Sequence, residues 1–228
     1  MKTVLEIPYL TDFNQHSSAE ELAVYLNDLP SHWLLYTPWQ QLMHRPAVSF
    51  VIAHGEGAIF LKYFVEEETL RSTYLQPNDP VYNDSCVEFF IAFAGEENYY
   101  NFEFNCAGTC LAGFGSGRER LLLPAKDILK IRHHSRLLNL KVRPEHQQSQ
   151  PLPVSKQHPV QWELTVVIPA DVFIYHDLST FRNISSRGNF FKCGDALPEP
   201  HYLTWNNIVS PCPDFHQKEF FAAMDFLS

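Results

Sequence analysis

The sequence predicts an all-β fold: an immunoglobulin-like or jelly-roll β-sandwich of two antiparallel sheets, with a short N-terminal helix. Several short segments alternate apolar and polar side chains and are separated by turn residues, as strands of a sandwich are. Phe and Pro are abundant, with 18 and 16 residues, which favours strands and turns over helices. The length of 228 residues and the hydrophobic share of 45% suffice for one sandwich with a sizeable core.

The helix and strand signals follow one another along the chain. The stretch "SSAEELAVYLNDLP" offers Ser17 or Ser18 as an N-cap, glutamates in the first turn and Pro30 as a stop. A hairpin is predicted for "PAVSFVIAHGEGAIFLKYFVEEE", whose centre is rich in Gly. "DSCVEFFIAF" and "NYYNFEFNCAGTCLAGFG" form a second strand pair, and further strands are "QWELTVVIP", "SSRGNFFKCGD", "HYLTWNNI" and "EFFAAMDFLS". Residues 141–160 predict an exposed loop.

The charge balance argues against nucleic acid and anionic lipid as partners. The formal net charge is -9, which gives little long-range attraction for phosphate groups. The one basic cluster, residues 130–136, lacks interleaved aromatic residues and predicts a solvated turn. No apolar run is long enough to span a bilayer. The first residues lack a secretory signal, so we expect a cytoplasmic protein, with a periplasmic or extracellular location if a leader precedes them.

The five cysteines do not predict a disulfide framework, because their number is odd and their spacing irregular. Cys106 and Cys110 have no second Cys/His motif that would complete a zinc site. We therefore expect reduced thiols.

The strand around Glu88 carries a charge among apolar neighbours. Because side chains alternate along a strand, Glu88 shares one face with Cys86 and Phe90. If the next strand pairs with it, Glu103 or Asn105 lies beside Glu88. Carboxylates and carboxamides next to aromatic rings suit sugar hydroxyls. An ordinary solvent-facing sheet is the alternative interpretation.

Two other features admit two interpretations each. Trp205 precedes two asparagines, and its ring is either a stacking platform or a cap of the core. The carboxylates of Glu88 and Glu103 also suit a glycosidase, which uses a pair of carboxyl groups. The sequence contains no nucleophile elbow, zinc-protease motif, P-loop or dinucleotide fingerprint.

Five stretches together resemble the carbohydrate-binding module family 9-like proteins, which belong to the DOMON-like β-sandwiches. They are "PVYNDSCVEFFI", "YYNFEFNCAGTCLAGFG", "WELTVVIP", "NFFKCGDALPEPHYLTWNNI" and "PDFHQKEFF". The similarity is greatest to the free-standing subgroup common in gut Bacteroidetes. It implies one domain over residues 1–228, with a family-like core at 39–228 and an extension at 1–38. It further implies a non-catalytic protein that binds a sugar or a glycan chain end and serves polysaccharide catabolism beside glycoside hydrolases.

The resemblance also implies ligand-binding residues. Glu88 falls on the family's sugar-binding Glu, and Trp205 on the late tryptophan of a two-tryptophan clamp. Tyr82 stands near the first clamp tryptophan, and Lys192 at a polar position on the strand before the second. Glu103 lies near the place of a family arginine, and Asn105 would line the same cleft. No catalytic residue is expected. The alternatives are a glycoside-hydrolase-type enzyme and an interaction domain with a degenerate sugar site.

We expect no cofactor, although relatives of this kind carry structural calcium or haem. Asp79, Asn83 and Asp84 are oxygen donors that calcium accepts, and Asx turns explain them equally well. None of the three methionines stands where a haem ligand of the relatives would be. Carbohydrate is the expected partner.

Overall fold

The strands form two sheets that pack face to face. The computed structural model describes residues 4–39, 45–93, 95–139 and 159–228. The loop predicted at 141–160 falls outside these ranges except for its last two residues. The sandwich prediction is confirmed, and none of the helices in the described ranges has the length and apolar character needed to cross a membrane.

The front sheet positions the site. Its strands are β1 (Leu5–Ile7), β6 (Cys86–Phe93), β7 (Tyr99–Asn105), β8 (Cys110–Gly115), β9 (Leu121–Leu122), β12 (Ser185–Cys193), β13 (Tyr202–Thr204) and β14 (Ala222–Phe226). They lie in the order β1–β14–β12–β6–β7–β8–β9, with β13 also paired to β12.

The back sheet covers one side of the front sheet. It contains β2 (Tyr9–Asn14), β3 (His32–Trp33), β4 (Ala47–Glu56), β5 (Ala58–Glu67), β10 (Arg132–Leu137) and β11 (Val160–Pro169). Strand pairs are antiparallel except for β1 beside β14 and β2 beside β4, which are parallel. The predicted antiparallel sheets therefore carry a parallel strand pair each.

Local signals in the sequence account for most elements. Helix α1 (Ala19–Tyr25) begins after Ser18, whose side chain accepts hydrogen bonds from two first-turn amides. The predicted hairpin is β4–β5, and Gly57 takes the positive φ of 69° that its turn requires. A second helix, α2 (Ala125–Ile128), is a single turn. The turn predicted over residues 130–136 is wrong, because Arg132–Leu137 pairs along β11 as an edge strand.

The core lies between the sheets, and a second apolar cluster covers the far side of the front sheet. The inner face of the front sheet carries Phe89, Phe102 and Phe190, all fully buried against the back sheet. Its outer face carries Phe90 and Phe191, which are buried beneath the segment 208–221. The interpretation of this outer face as an ordinary solvent-facing sheet is therefore wrong.

Candidate functional site

A pocket of about 430 Å³ opens on the outer face of the front sheet. Strands β6, β7 and β12 supply its floor, and β13 and four segments between the strands supply its walls. It is lined by Tyr82, Glu88, Glu103, Arg118, Arg120, Cys193, Asp195, Tyr202, Pro213, Asp214, Phe215 and His216.

The floor is polar because two glutamates stand side by side on neighbouring strands. Glu88 on β6 and Glu103 on β7 are direct cross-strand partners, and each is only 3% exposed. The Cys193 thiol donates to Glu88 Oε1 over 3.0 Å. Glu103 Oε1 accepts hydrogen bonds from Arg120 Nη2 at 2.8 Å and Asn101 Nδ2 at 3.0 Å. The outer face thus buries two carboxyl groups, of which only Glu103 has an ion-pair partner among the described residues.

Two glycines of β8 make room for Arg120. A Cβ atom at Gly115 would lie 2.8 Å from the Cβ of Arg120, and one at Gly113 would lie 3.0 Å from its Cδ. The arginine therefore lies against a strip of strand without side chains. This position brings its guanidinium to Glu103, while its buried Nε has no hydrogen-bond partner among the described residues.

Burial changes the protonation of both carboxyl groups. It raises the pKa of Glu88 well above its ordinary value, and the neighbouring Glu103 raises it further. Burial likewise raises the pKa of Glu103 to about 7, against the opposing effect of Arg120. Glu88 therefore takes up a proton more readily than a free glutamate, and in its protonated form the carboxyl group can both donate and accept hydrogen bonds.

Aromatic side chains form the walls. Tyr82 is 39% exposed, and Tyr202 is half-buried beside Phe215. Phe215 stacks on Phe191 with ring centroids 4.3 Å apart. Because Phe215 packs on the outer face of the sheet, this wall of the pocket is apolar and held in place.

His216 adds a neutral polar group to the wall. Its ring stacks on Phe90 at 4.9 Å, and its Nδ1 lies 2.7 Å from the Tyr99 hydroxyl. Burial, helped by Arg120, lowers the pKa of His216 to about 3. The imidazole is therefore uncharged at neutral pH.

The structure brings three of the six predicted site residues, Tyr82, Glu88 and Glu103, to this pocket. Lys192 lies on the opposite face of β12, because neighbouring residues of a strand point to opposite sides. It is fully buried, and its Nζ lies 2.9 Å from Glu67 Oε2 and 2.9 Å from His201 Nε2. Cys193, the next residue, takes the place on the pocket floor.

Trp205 also lies away from the pocket, as part of the core between the sheets. Its ring meets Phe50 at 5.8 Å and Phe190 at 5.6 Å, both edge to face. The interpretation of Trp205 as a core residue is therefore the one that the structure supports. The structure therefore does not bring Glu88, Lys192 and Trp205 into one cleft.

Asn105 shares the face of Glu103 but holds a turn. Its Oδ1 accepts hydrogen bonds from the amides of Ala107 and Thr109, and its Nδ2 donates to Asp84 Oδ2. The side chain is fully buried and does not line the pocket.

The two aspartates of the loop before β6 accept hydrogen bonds from backbone amides. Asp84 Oδ2 accepts from the amides of Thr73 and Tyr74. Asp79 Oδ2 accepts from two amides, those of residues 75 and 76. These amides lie upstream of both aspartates, whereas an Asx turn pairs with the amide two residues further on.

Sequence reasoning missed the loop residues of the pocket. Tyr202 lies within the predicted strand "HYLTWNNI", and in the structure it is the register partner of Cys193. Arg118, Asp195 and Phe215 stand in segments without periodicity, so their convergence depends on how the loops fold over the sheet.

The fold and the pocket define a β-sandwich ligand-binding domain. The model of carbohydrate-binding family 9 matches residues 22–226, and the chain belongs to this family. The crystal structure of a proposed carbohydrate-binding protein from Bacteroides uniformis ATCC 8492 is similar, with a TM-score of 0.84 and 31% identity. The similarity covers 98% of this chain and 99% of that one.

Two further structures share the fold at low sequence identity. A family 9 carbohydrate-binding module from Caldicellulosiruptor kristjanssonii in complex with glucose has a TM-score of 0.57 at 12% identity, over 98% of this chain and 95% of that one. The module from the same organism in complex with cellotriose has a TM-score of 0.56 at 11% identity, over 99% and 94%. None of the curated protein sequences matches this chain significantly.

Proposed function

We propose that this protein binds a sugar or the end of a glycan chain in the pocket, without catalysing a reaction, and thereby serves carbohydrate catabolism. Membership of carbohydrate-binding family 9 supports the ligand class. The structures of the Caldicellulosiruptor modules with glucose and cellotriose support it as well.

The observation that carries the proposal is the position of buried carboxyl groups beneath tyrosine rings. Sugars present hydroxyl groups around the ring edge and C–H groups on its faces, so they need polar groups below and aromatic rings beside them. Glu88 and Glu103 provide the polar floor, and Tyr82 and Tyr202 provide the aromatic walls. A volume of about 430 Å³ lies within the range of small-ligand sites.

We assign roles by position in the pocket. Glu88 and Glu103 hydrogen-bond to sugar hydroxyls, with Asp195 at the wall. Tyr82 and Tyr202 pack on the sugar ring, with Tyr202 in place of the Trp205 that the resemblance implied. Arg118 and Arg120 balance part of the negative charge that Glu88, Glu103, Asp195 and Asp214 bring to the pocket.

The proposal is tested by calorimetric titration with glucose, cellobiose and cellotriose. We expect the wild type to bind one of them and Tyr202→Ala to weaken binding by about 5- to 150-fold, or ~1–3 kcal/mol, because a stacking ring is lost. Tyr25→Ala is the matched control, because Tyr25 is exposed on α1, outside the pocket. Undiminished binding by Tyr202→Ala would contradict the assignment.

The glycoside-hydrolase alternative rests on the Glu88–Glu103 pair. Cross-strand partners have Cβ atoms about 5 Å apart, and a retaining glycosidase needs carboxyl groups at about that separation. Turnover of chromogenic glycosides that is lost in Glu88→Gln and Glu103→Gln would establish an enzyme. A glycan array without any bound ligand would instead favour an interaction domain with a degenerate site.

A further inference from the structure

Two cysteines lie side by side behind the pocket floor. Cys86 on β6 and Cys193 on β12 are direct cross-strand partners on the outer face of the front sheet. Glu88 stands two residues along β6 and points to the same side. One ligand atom from each, two sulfurs and a carboxylate oxygen, lie within 4.8 Å of one another, and all three residues are buried.

The separations suit a single metal ion. Zinc binds sulfur at about 2.3 Å and carboxylate oxygen at about 2.1 Å, usually in a tetrahedron. In such a tetrahedron two sulfurs lie about 3.8 Å apart, and a sulfur and an oxygen about 3.6 Å apart. Cys193 Sγ and Glu88 Oε1 are 3.0 Å apart. A small rotation of either side chain opens the space that an ion needs.

Glu88 is also a buried acid without a cationic partner. Among the described residues its carboxyl group makes no ion pair, and the nearby Arg120 is bound to Glu103. Burying a carboxyl group without such a partner is costly. A divalent cation between Glu88 and the two sulfurs would supply the missing positive charge.

Zinc binds cysteine as the thiolate and glutamate as the carboxylate. An entering dication therefore displaces the two thiol protons, together with any proton on Glu88, and these protons leave to solvent. Ion and protons have a path, because Cys193 and Glu88 line the pocket.

We propose that Cys86, Glu88 and Cys193 form a binding site for one zinc ion beneath the pocket floor. Two thiolates with one carboxylate suit zinc, whereas calcium and magnesium take oxygen ligands. The fourth coordination position faces the pocket and takes a water molecule. The metal site goes beyond sugar recognition and shares Glu88 with it.

The test is metal titration of the reduced, metal-free protein. We expect one Zn²⁺ per chain in competition with a chromophoric chelator, and a thiolate-to-metal charge-transfer band with Co²⁺. Changes in a second shell already lower zinc affinity by about 10- to 100-fold, so Cys86→Ser and Cys193→Ser should each lower it by at least about 100-fold. Glu88→Gln should lower it by at least about 10-fold.

Cys110→Ser is the matched control. Cys110 is a buried thiol of the same sheet, but it lies in the core between the sheets. Its variant should keep both the zinc affinity and the cobalt band. Thermal melts identify a variant that does not fold, and Glu88→Gln then serves in place of a cysteine variant.

Three results would overturn the proposal. The first is full zinc affinity in Cys86→Ser and Cys193→Ser. The second is a reduced wild type without a cobalt charge-transfer band. The third concerns the wild type after air oxidation. If oxidation removes two titratable thiols and subsequent reduction does not restore metal binding, Cys86 and Cys193 form a cross-strand disulfide rather than a metal site. Sugar titration of the metal-free protein tests the proposed function separately.

Discussion

Two polar clusters lie on opposite sides of the front sheet, and they are built differently. The inner polar cluster consists of Glu67, Lys192 and His201 between the sheets. Lys192 contacts both of the others, and Trp162 donates to Glu67 Oε1 at 2.7 Å. The outer polar cluster consists of Glu88, Glu103 and Cys193 on the pocket floor.

The difference lies in how far the buried charges are satisfied and where they face. In the inner cluster the lysine and glutamate are oppositely charged and do not line this pocket, although Glu67 and His201 line a much smaller one of about 70 Å³. In the outer cluster two acids stand together, of which Glu103 pairs with Arg120, and both open on the pocket. A set of matched charges contributes to the architecture, whereas polar groups that face a roomy pocket with free hydrogen-bonding capacity suit a ligand.

The largest effect is expected from breaking the inner polar cluster. Lys192→Met leaves Glu67 buried without its lysine, which should lower the free energy of unfolding by about 3–5 kcal/mol. Glu88→Gln should change it by less than about 1 kcal/mol, because the amide has the size of the carboxyl group and its oxygen can still accept from the Cys193 thiol. Urea denaturation of the two variants measures the contrast.

A double variant sharpens this comparison. Replacing both Lys192 and Glu67 with methionine removes the two charges together, and paired removal from a core is often neutral. We expect much of the lost stability to return. If Lys192→Met alone is as stable as the wild type, the inner polar cluster does not have the structural role assigned to it.

A second contrast separates the two aromatic groups. Trp205→Ala removes a half-buried ring from the core and should lower the free energy of unfolding by about 3 kcal/mol, the lower end for such truncations. Tyr82→Ala, at a ring that is 39% exposed, should cost less than about 1 kcal/mol. Thermal melts of both variants measure this difference. A larger loss of stability in Tyr82→Ala than in Trp205→Ala would contradict the assignment of Trp205 to the core.

The third prediction concerns pH. Burial, together with Lys192, lowers the pKa of His201 to about 3, while the unfolded chain takes up this proton near pH 6.5. The stability that this neutral histidine allows is therefore fully present above pH 6.5 and is lost as the pH falls towards 3. The loss per bound proton approaches about 1.4 kcal/mol for each pH unit.

His201→Gln tests this prediction because glutamine keeps an acceptor for Lys192 without titrating. As the pH falls from 6.5 to 4, the unfolding free energy of the variant should fall less steeply than that of the wild type. The two slopes should differ by up to about 1.4 kcal/mol per pH unit, the effect of one bound proton. Equal slopes in the two proteins would show that His201 is not held neutral.

Most of the fold could be predicted from the sequence, because strand alternation and turn residues are local signals. They offer Ser17 or Ser18 as the N-cap, of which the structure uses Ser18. They bring Glu88 near Glu103 or Asn105, and the structure pairs it with Glu103. The candidate site could be predicted only in part. Lys192 and Cys193 differ by one position, and one position reverses the face of a strand. The resemblance selected Lys192, which faces away from the pocket, and only the pairing of β12 with β6 shows that Cys193 faces it.

The loop residues could not have been predicted in the same way. Arg120 reaches Glu103 because two glycines of β8 leave space, and Phe215 reaches the pocket because its segment folds over the sheet. Both depend on contacts between residues far apart in the sequence, which no periodicity records.

The central claim is that the outer pocket, and not the inner polar cluster, recognises carbohydrate. The most direct measurement is a glucose and cellotriose titration followed by backbone amide chemical shifts. We predict saturable shift changes concentrated at Glu88, Glu103 and Asp195. Changes centred on Glu67, Lys192 and His201, or no change at any sugar concentration, would contradict the claim.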